Sequence, residues 1–370
     1  MIIGVLKEPA TETRVSLSPE TVAALTKKGI SVLVEMNAGA SAFCSDADYT
    51  SAGAKVETRS AVIQGSEVIL AIHAPEDLDS IPEGKVLIGV YLPFYNRDSI
   101  SAMAAKGLTV FSMDMLPRTT RAQTMDVLSS QANIAGYKAV IAAADLFPRY
   151  FPMFMTAAGS VAPAKVLILG AGVAGLQAIA TARRLGAVVE VFDTRPAVKE
   201  EVMSLGAKFV EVEGAADAST AGGYAVEQTE DYKRKQQERI AEAVKKSDII
   251  ITTAQIPGKK APILITEAMM ATMRNGSVIM DLASATGGNT PFTKNNETVF
   301  VNGVFIIGNS SLQSSMPMDA SRLYGKNIAN FLQLIVTKEN GLNLNFTDDL
   351  VKGSCISHEG KIVHERLQTA

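Results

Sequence analysis

The chain has 370 residues, 47% of them hydrophobic and 20% charged, with a formal net charge of −3. That is enough chain for two cores of ordinary size, and it lacks the clustered Lys and Arg that a nucleic-acid partner would require. The two cysteines, Cys44 and Cys355, have no CxxC spacing and stand beside only three histidines, which excludes a disulfide framework and gives no reason to expect a metal site.

The N-terminal MIIGVLKEP moves from a strand-like run straight into charge, without the apolar stretch of a signal peptide, so no export is expected. Short β-branched runs then alternate with helical patterns. IIGVL reads as a strand, SPETVAALTKKG as a helix with Ser18 at the N-cap and Pro19 at the first helical position, and SVLVE as the next strand. SEVILAIHAP and KVLIGVYLP read as buried strands, and RDSISAMAAKGLTVFSMD as a helix followed by a strand. A long helix is expected over 120–146, rich in small residues that permit close packing, with Thr120-Arg121-Ala122-Gln123 also satisfying a capping box at its start. Pro148, Pro152 and Pro163 punctuate the chain before a second βαβ series: KVLILG, VVEVFD, KFVEV, SDIIITTA, GSVIMDLA and VFIIGN. The most apolar stretch, 166–182, is broken by three glycines and a glutamine and falls short of the 18 or so residues of a spanning helix. SRLYGKNIANFLQLIVTK, near the end, is an amphipathic helical pattern expected to return to the first domain. The expected organisation is therefore α/β with two domains, 1–125 plus 318–370 and 126–317, joined by the helix 120–146.

Gly170-Ala171-Gly172-Val173-Ala174-Gly175 matches GxGxxG, a pattern that also occurs where glycines serve packing alone. Here it follows the strand KVLIL, opens the helix LQAIATARRLG, and is followed by a second strand ending in Asp193, 21 residues after the middle glycine. Gly170 allows a tight turn, Gly172 lets backbone N–H groups approach a pyrophosphate at the helix N-terminus, and Gly175 permits close helix–strand packing. Asp193 is placed to accept hydrogen bonds from adenosine ribose hydroxyls and to repel a 2′-phosphate. NAD(H) is the expected nucleotide, with Thr194 and Arg195 beside it, although Arg195 leaves NADP open.

Two stretches, ETRVSLSPETVAALTKKG and ILGAGVAGLQAIATARRLGAVVEVFDTRP, resemble the alanine dehydrogenase and pyridine nucleotide transhydrogenase family. The first departs from it slightly, with Thr11-Glu12-Thr13-Arg14 where Asn-Glu-x-Arg is usual. The resemblance implies two Rossmann-like, doubly wound parallel-sheet domains with the nucleotide cleft between them, the N-terminal one lacking the glycine fingerprint. An amino-acid dehydrogenase needs a positioned acid/base and a carboxylate anchor. That branch carries Lys-Val-Lys-Glu-Pro, a histidine after the following strand, and an aspartate before a Gly-Gly pair. This chain instead reads Ala71-Ile72-His73-Ala74-Pro75, Tyr91-Leu92-Pro93 and Ala285-Thr286-Gly287-Gly288, without the lysine, histidine or aspartate. His73 is either a substitute or a structural histidine at a strand end.

Residues 117–131, PRTTRAQTMDVLSSQ, look like the loop of the transhydrogenase branch. A nicotinamide carboxamide offers one acceptor and one NH2 donor, so Arg118 and Asp126 suit its two ends. By resemblance Gln123 contacts a ribose facing a second nucleotide, Ser129 supports the ring, and Thr119 and Thr120 line the same site. Ala221-Gly222-Gly223-Tyr224 match the family's mobile loop, with Gly223 and Tyr224 closing over nucleotide, while the run EDYKRKQQER reads as a solvated helix face. Ala254 and Gln255 follow the strand SDIII, where doubly wound sheets bind ligands; family members often have leucine at the position of Gln255.

The implied activity is direct hydride transfer between NADH on this chain and NADP+ on a partner, with no acid or base required. Implied partners are a second copy in a homodimer, an NADP(H)-binding component, and membrane-spanning subunits that move protons and hold this chain at the cytoplasmic face of the inner membrane. An NAD-dependent amino-acid dehydrogenase with other catalytic residues, and a non-catalytic NAD-sensing module, are the alternatives.

Overall fold

A computed structural model describes residues 1–212, 229–256 and 258–368. The chain divides into two compact units, Met1–Gln131 with Ser314–Ala370, and Ala132–Gln313.

In the first unit the strands β1 (Ile2–Val5), β2 (Ser31–Glu35), β3 (Lys55–Glu57), β4 (Val68–Leu70), β5 (Val86–Gly89) and β6 (Thr109–Ser112) lie side by side in the order β3-β2-β1-β4-β5-β6, all parallel. Cys355–His358 then adds antiparallel to β6 and Lys361–Ile362 to its outer side. β4 and β5 are buried at every position, as strands covered on both faces must be. The first helix, Pro19–Thr26, begins where Ser18 accepts the Thr21 N–H and proline occupies the first turn. The amphipathic pattern near the C-terminus forms the helix Pro317–Ile335, whose Tyr324, Ile328, Phe331, Leu332 and Ile335 recur at helical spacing and sit in one core with Leu17, Val22 and Phe111. Phe331 meets Phe111 edge to face at 5.4 Å.

In the second unit an isolated hairpin, β7 (Phe154–Thr156) and β8 (Gly159–Val161), precedes the main strands β9 (Lys165–Leu169), β10 (Val188–Phe192), β11 (Lys208–Phe209), β12 (Ile249–Thr252), β13 (Val278–Asp281), β14 (Glu297–Val301) and β15 (Val304–Gly308). The sheet order is β11-β10-β9-β12-β13-β15-β14, with only β14 antiparallel among the described strands. Alternate residues of each strand face opposite layers. Val166, Ile168, Val189, Ile249 and Ile251 pack with the helix Val173–Arg184, whereas Leu167, Leu169, Ile250 and Ile279 pack with the helix Glu230–Lys246. The strand order reverses between β9 and β12, which is where a doubly wound sheet opens a crevice at its carboxyl edge.

The expected helix over 120–146 begins later than its pattern suggests. Thr120–Met125 is a 3-10 turn, and the α-helix runs Val127–Leu146. Asp126, at ψ 91°, leaves helical space, and its carboxylate accepts the Ser129 N–H at 2.9 Å and the Ser129 hydroxyl at 2.6 Å. The cap is therefore Asp126, a stronger N-cap than threonine; the capping box at Thr120 does not form, and the 3-10 turn receives no side-chain cap. The boundary between the units falls inside this helix, after Gln131. Its small residues do permit close packing: a Cβ on Gly136 would lie 2.1 Å from the Ala174 carbonyl oxygen. Among the described residues no helix is long and apolar enough to cross a membrane.

Candidate functional site

The glycine turn grows out of β9. Gly170 takes φ +108°, a region that disfavours side chains, and a Cβ there would stand 2.2 Å from the Thr253 hydroxyl. Thr253 locks the turn from the next strand, its N–H and hydroxyl bonding the Leu169 carbonyl and the hydroxyl also reaching that of Gly170. Gly175 packs so closely that its Cβ would meet the Gly170 carbonyl oxygen at 1.9 Å, while a Cβ on Gly172 would meet nothing within 4 Å. The helix Val173–Arg184 starts at Gly172, and its first-turn N–H groups, including those of Val173 and Ala174, have no intrahelical acceptors. This is an open cradle of donors at a helix N-terminus, and it fits a pyrophosphate.

Asp193, just past β10, is buried, with 8% of its surface exposed. Its Oδ2 accepts the Ala171 N–H at 2.7 Å, tying the second strand to the glycine turn. Arg195 also holds it, and the carboxylate in turn raises the arginine's pKa above its ordinary value by hydrogen bonding. Thr194 lies between them, partly exposed.

At the end of β12, Ala254 is fixed by a residue the sequence pattern does not single out. The fully buried Asn289 accepts the Ala254 N–H at 3.2 Å and donates to the carbonyls of Ala254 and Pro262 at 2.9 and 2.8 Å. Asp281, also fully buried, accepts from the Asn289 and Ala283 N–H groups and the Thr293 hydroxyl. The available signal is the Gly287-Gly288 pair, both at positive φ, immediately before Asn289. Gln255 is exposed and donates to the Leu282 carbonyl. Gly223 and Tyr224 lie outside the described residues.

In the first unit, Arg118, Thr119, Thr120, Gln123 and Asp126 line one pocket of about 270 Å³, with Leu116 and Pro117 as an apolar wall. Ser129 joins them through Asp126. The turn that carries them is anchored from beneath. Ala122 and Met125 are buried in the core, the Thr124 carbonyl accepts from Asn327 and Asn330 at 2.8 and 3.0 Å, and Arg121 forms a fork on Asp348 at 2.6 and 2.7 Å. Gln123 and Arg118 are thus exposed side chains on a backbone that cannot shift freely.

A second polar cluster follows β1 and β4, where the order of the first sheet reverses. Glu12 accepts from Arg14 at 2.8 and 2.7 Å, from the Ser314 hydroxyl at 2.9 Å, and pairs with His73 at 2.9 Å. Burial opposes its charge, but the bonds from Arg14 and His73 win and hold its pKa well below the carboxylate range. His73 is accordingly a partner of Glu12, the structural role for it. Glu8 accepts the Ile72 and His73 N–H groups at 2.6 and 3.1 Å, yet burial lifts its pKa from 4.5 to about 7. Folded Glu8 thus binds its proton more tightly than unfolded Glu8. Its stabilising contribution is complete below pH 4.5 and is lost as pH rises through 7, a change of about 3 kcal/mol. Denaturant titrations from pH 4.5 to 8 are expected to show this loss in the unmodified chain relative to Glu8→Gln; parallel profiles would contradict it.

Comparison with known proteins matches residues 4–135 to the N-terminal domain, and 139–365 to the C-terminal domain, of the alanine dehydrogenase/PNT family model. The first of the polypeptides that make up the NAD(P) transhydrogenase alpha subunit of Rhodospirillum rubrum is 46% identical over 96% of both chains. The crystal structure of a transhydrogenase from Sinorhizobium meliloti superposes with a TM-score of 0.90 at 45% identity, covering 98% of this chain and 100% of that one. A solved L-alanine dehydrogenase superposes at 0.84 with 25% identity, covering 100% and 98%.

Proposed function

The chain belongs to the alanine dehydrogenase/pyridine nucleotide transhydrogenase family, on the branch of the NAD(P) transhydrogenase alpha subunits, and from that premise we propose that it binds NADH and presents it for direct hydride transfer to NADP+ on a partner subunit. The observation that carries this reading is the composition of the pocket at 116–126. It holds groups that orient, Arg118, Thr119, Thr120 and Gln123, and its one carboxylate, Asp126, is engaged by Ser129. Nothing in that set is poised to shuttle a proton near neutrality, and hydride transfer between two nicotinamides needs none.

Bound NADH supplies the hydride at C4 of its ring. The protein's part is alignment, which brings the reacting atoms to about 3–3.5 Å. The helix N-terminus at Gly172 holds the pyrophosphate, and Asp193 takes the ribose hydroxyls and disfavours a 2′-phosphate. Arg118 donates to the carboxamide oxygen, Asp126 accepts from its NH2, and Gln123 steadies the ribose at the edge facing the second nucleotide. Ala254, with Gln255 beside it, closes the carboxyl edge of β12, and Gly223 and Tyr224 close over the nucleotide. Coupling to proton movement falls to separate membrane subunits, to which this chain, as a homodimer, binds on the cytoplasmic side.

Amino-acid oxidation is the other activity named in the family. It is disfavoured because Arg14, the buried cation available to anchor a substrate carboxylate, is forked on Glu12, and Ala71-Ile72-His73 lacks the lysine. Titration with NADH and NADPH, followed by reduced-ring fluorescence, tests the cofactor assignment: NADH is expected to saturate far below NADPH. Comparable affinities, or NAD+ reduction by alanine with this chain alone, would contradict it.

A further inference from the structure

Asp193, the proposed acceptor for the adenosine ribose, already accepts four hydrogen bonds in this structure. Oδ1 takes the Arg195 backbone N–H at 2.8 Å and Nε at 2.9 Å; Oδ2 takes the Ala171 N–H at 2.7 Å and Arg195 Nη2 at 2.7 Å. Two carboxylate oxygens offer about four lone-pair sites, so no position remains for a ribose hydroxyl while the guanidinium stays. The two backbone donors belong to the turns themselves. The two side-chain donors can leave, and they occupy one site on each oxygen, which is the pattern that the vicinal 2′ and 3′ hydroxyls of a ribose would present. The side chains are 19% and 6% exposed, so water competes little for the fork.

We propose that Arg195 is a specificity-determining partner of Asp193: its fork holds the two acceptor sites that the adenosine diol takes, and Asp193 in turn keeps the guanidinium from a ribose 2′-phosphate. The inference rests on the NADH reading above. A diol brings two O–H donors and can replace the fork bond for bond. A 2′-phosphate brings no donor for the carboxylate, yet it is a good bidentate ligand for a guanidinium once the carboxylate's charge is gone. Discrimination therefore comes from the pair and not from repulsion by Asp193 alone.

Dissociation constants for NADH and NADPH, measured on the full chain by reduced-ring fluorescence, test this. Arg195→Ala is expected to tighten NADH about fivefold, the scale of one partly exposed ion pair, without tightening NADPH. Arg195→Gln, which keeps the side-chain bulk, is expected to tighten NADH as well, and it stands in if the alanine variant misfolds. Asp193→Asn is expected to weaken NADH and tighten NADPH, and the NADPH gain is expected to vanish in the double variant Asp193→Asn/Arg195→Ala. Unchanged or weaker NADH binding in both arginine variants, or an NADPH gain that survives in the double variant, would overturn the proposal. Failure of the unmodified chain to bind NADH would instead remove the cofactor reading, and this inference with it.

Discussion

Gly175→Ala is expected to weaken NADH binding by about a hundredfold, a loss of about 2.7 kcal/mol, and to lower the unfolding temperature as well. The added Cβ would stand 1.9 Å from the Gly170 carbonyl oxygen, a backbone atom that no rotamer change can move. Relief requires the helix Val173–Arg184 to separate from the end of β9, and overpacking of this kind costs about 1–3 kcal/mol in stability. Separation also spoils the donor cradle, because the turn is braced on its other side by the Thr253 hydroxyl. Gly172→Ala is the informative contrast. Its Cβ meets nothing within 4 Å, so the fold is expected to be unperturbed, yet the methyl group points into the space a pyrophosphate would use. NADH affinity is expected to fall with the unfolding temperature unchanged. Intact affinity in Gly172→Ala would place the phosphates elsewhere.

Gln123→Asn is expected to slow hydride transfer by about ten- to a hundredfold while changing the NADH dissociation constant less than about threefold. Gln123 is exposed on a 3-10 turn whose fixed points are its neighbours: Ala122 and Met125 in the core, and the Thr124 carbonyl under Asn327 and Asn330. Removing one methylene therefore retracts the amide without loosening the turn. A displacement of about 1 Å at a positioning group is enough to cost on this scale when geometry is the main contribution to rate. The check is single-turnover transfer with the NADP-binding component beside a separate NADH titration. Equal losses in both would mean that Gln123 only binds NADH.

The features legible in the sequence are those set by local spacing. The run KVLIL, the three glycines and the acidic residue after the next strand describe a single βαβ unit, so the period of the pattern and the turn chemistry carry the information. The helix capped by Ser18 is legible for the same reason. The start of the helix Val127–Leu146 is not, because two candidate caps compete: Thr120 has the better sequence signature, but Asp126 has the better acceptor, and only the bonds from Ser129 decide between them. Asp126 consequently has two demands on it, as a cap and as a member of the pocket, and pattern reading separates neither.

Long-range bonds are the least legible. Asn289 holds Ala254 from 35 positions away, Asn327 holds Thr124 from 203 away, and Glu12 binds His73 across 61. No short motif encodes such pairings, because they depend on which strand ends the sheet order brings together. Arg195 on Asp193 is the opposite case: two residues apart in sequence, yet readable from the sequence only as a cation near the site. Its meaning comes from the count of acceptor sites it fills.

The central claim is that the hydride passes directly from the nucleotide on this chain to NADP+ on its partner. NADH dideuterated at C4, mixed with this chain and an NADP-binding transhydrogenase component in ordinary water, tests it most directly. Deuterium is expected at C4 of the NADPH formed, at full incorporation and with no hydrogen drawn from solvent. NADPH formed without deuterium, or no NADPH at all from a mixture in which the chain binds NADH, would contradict the account.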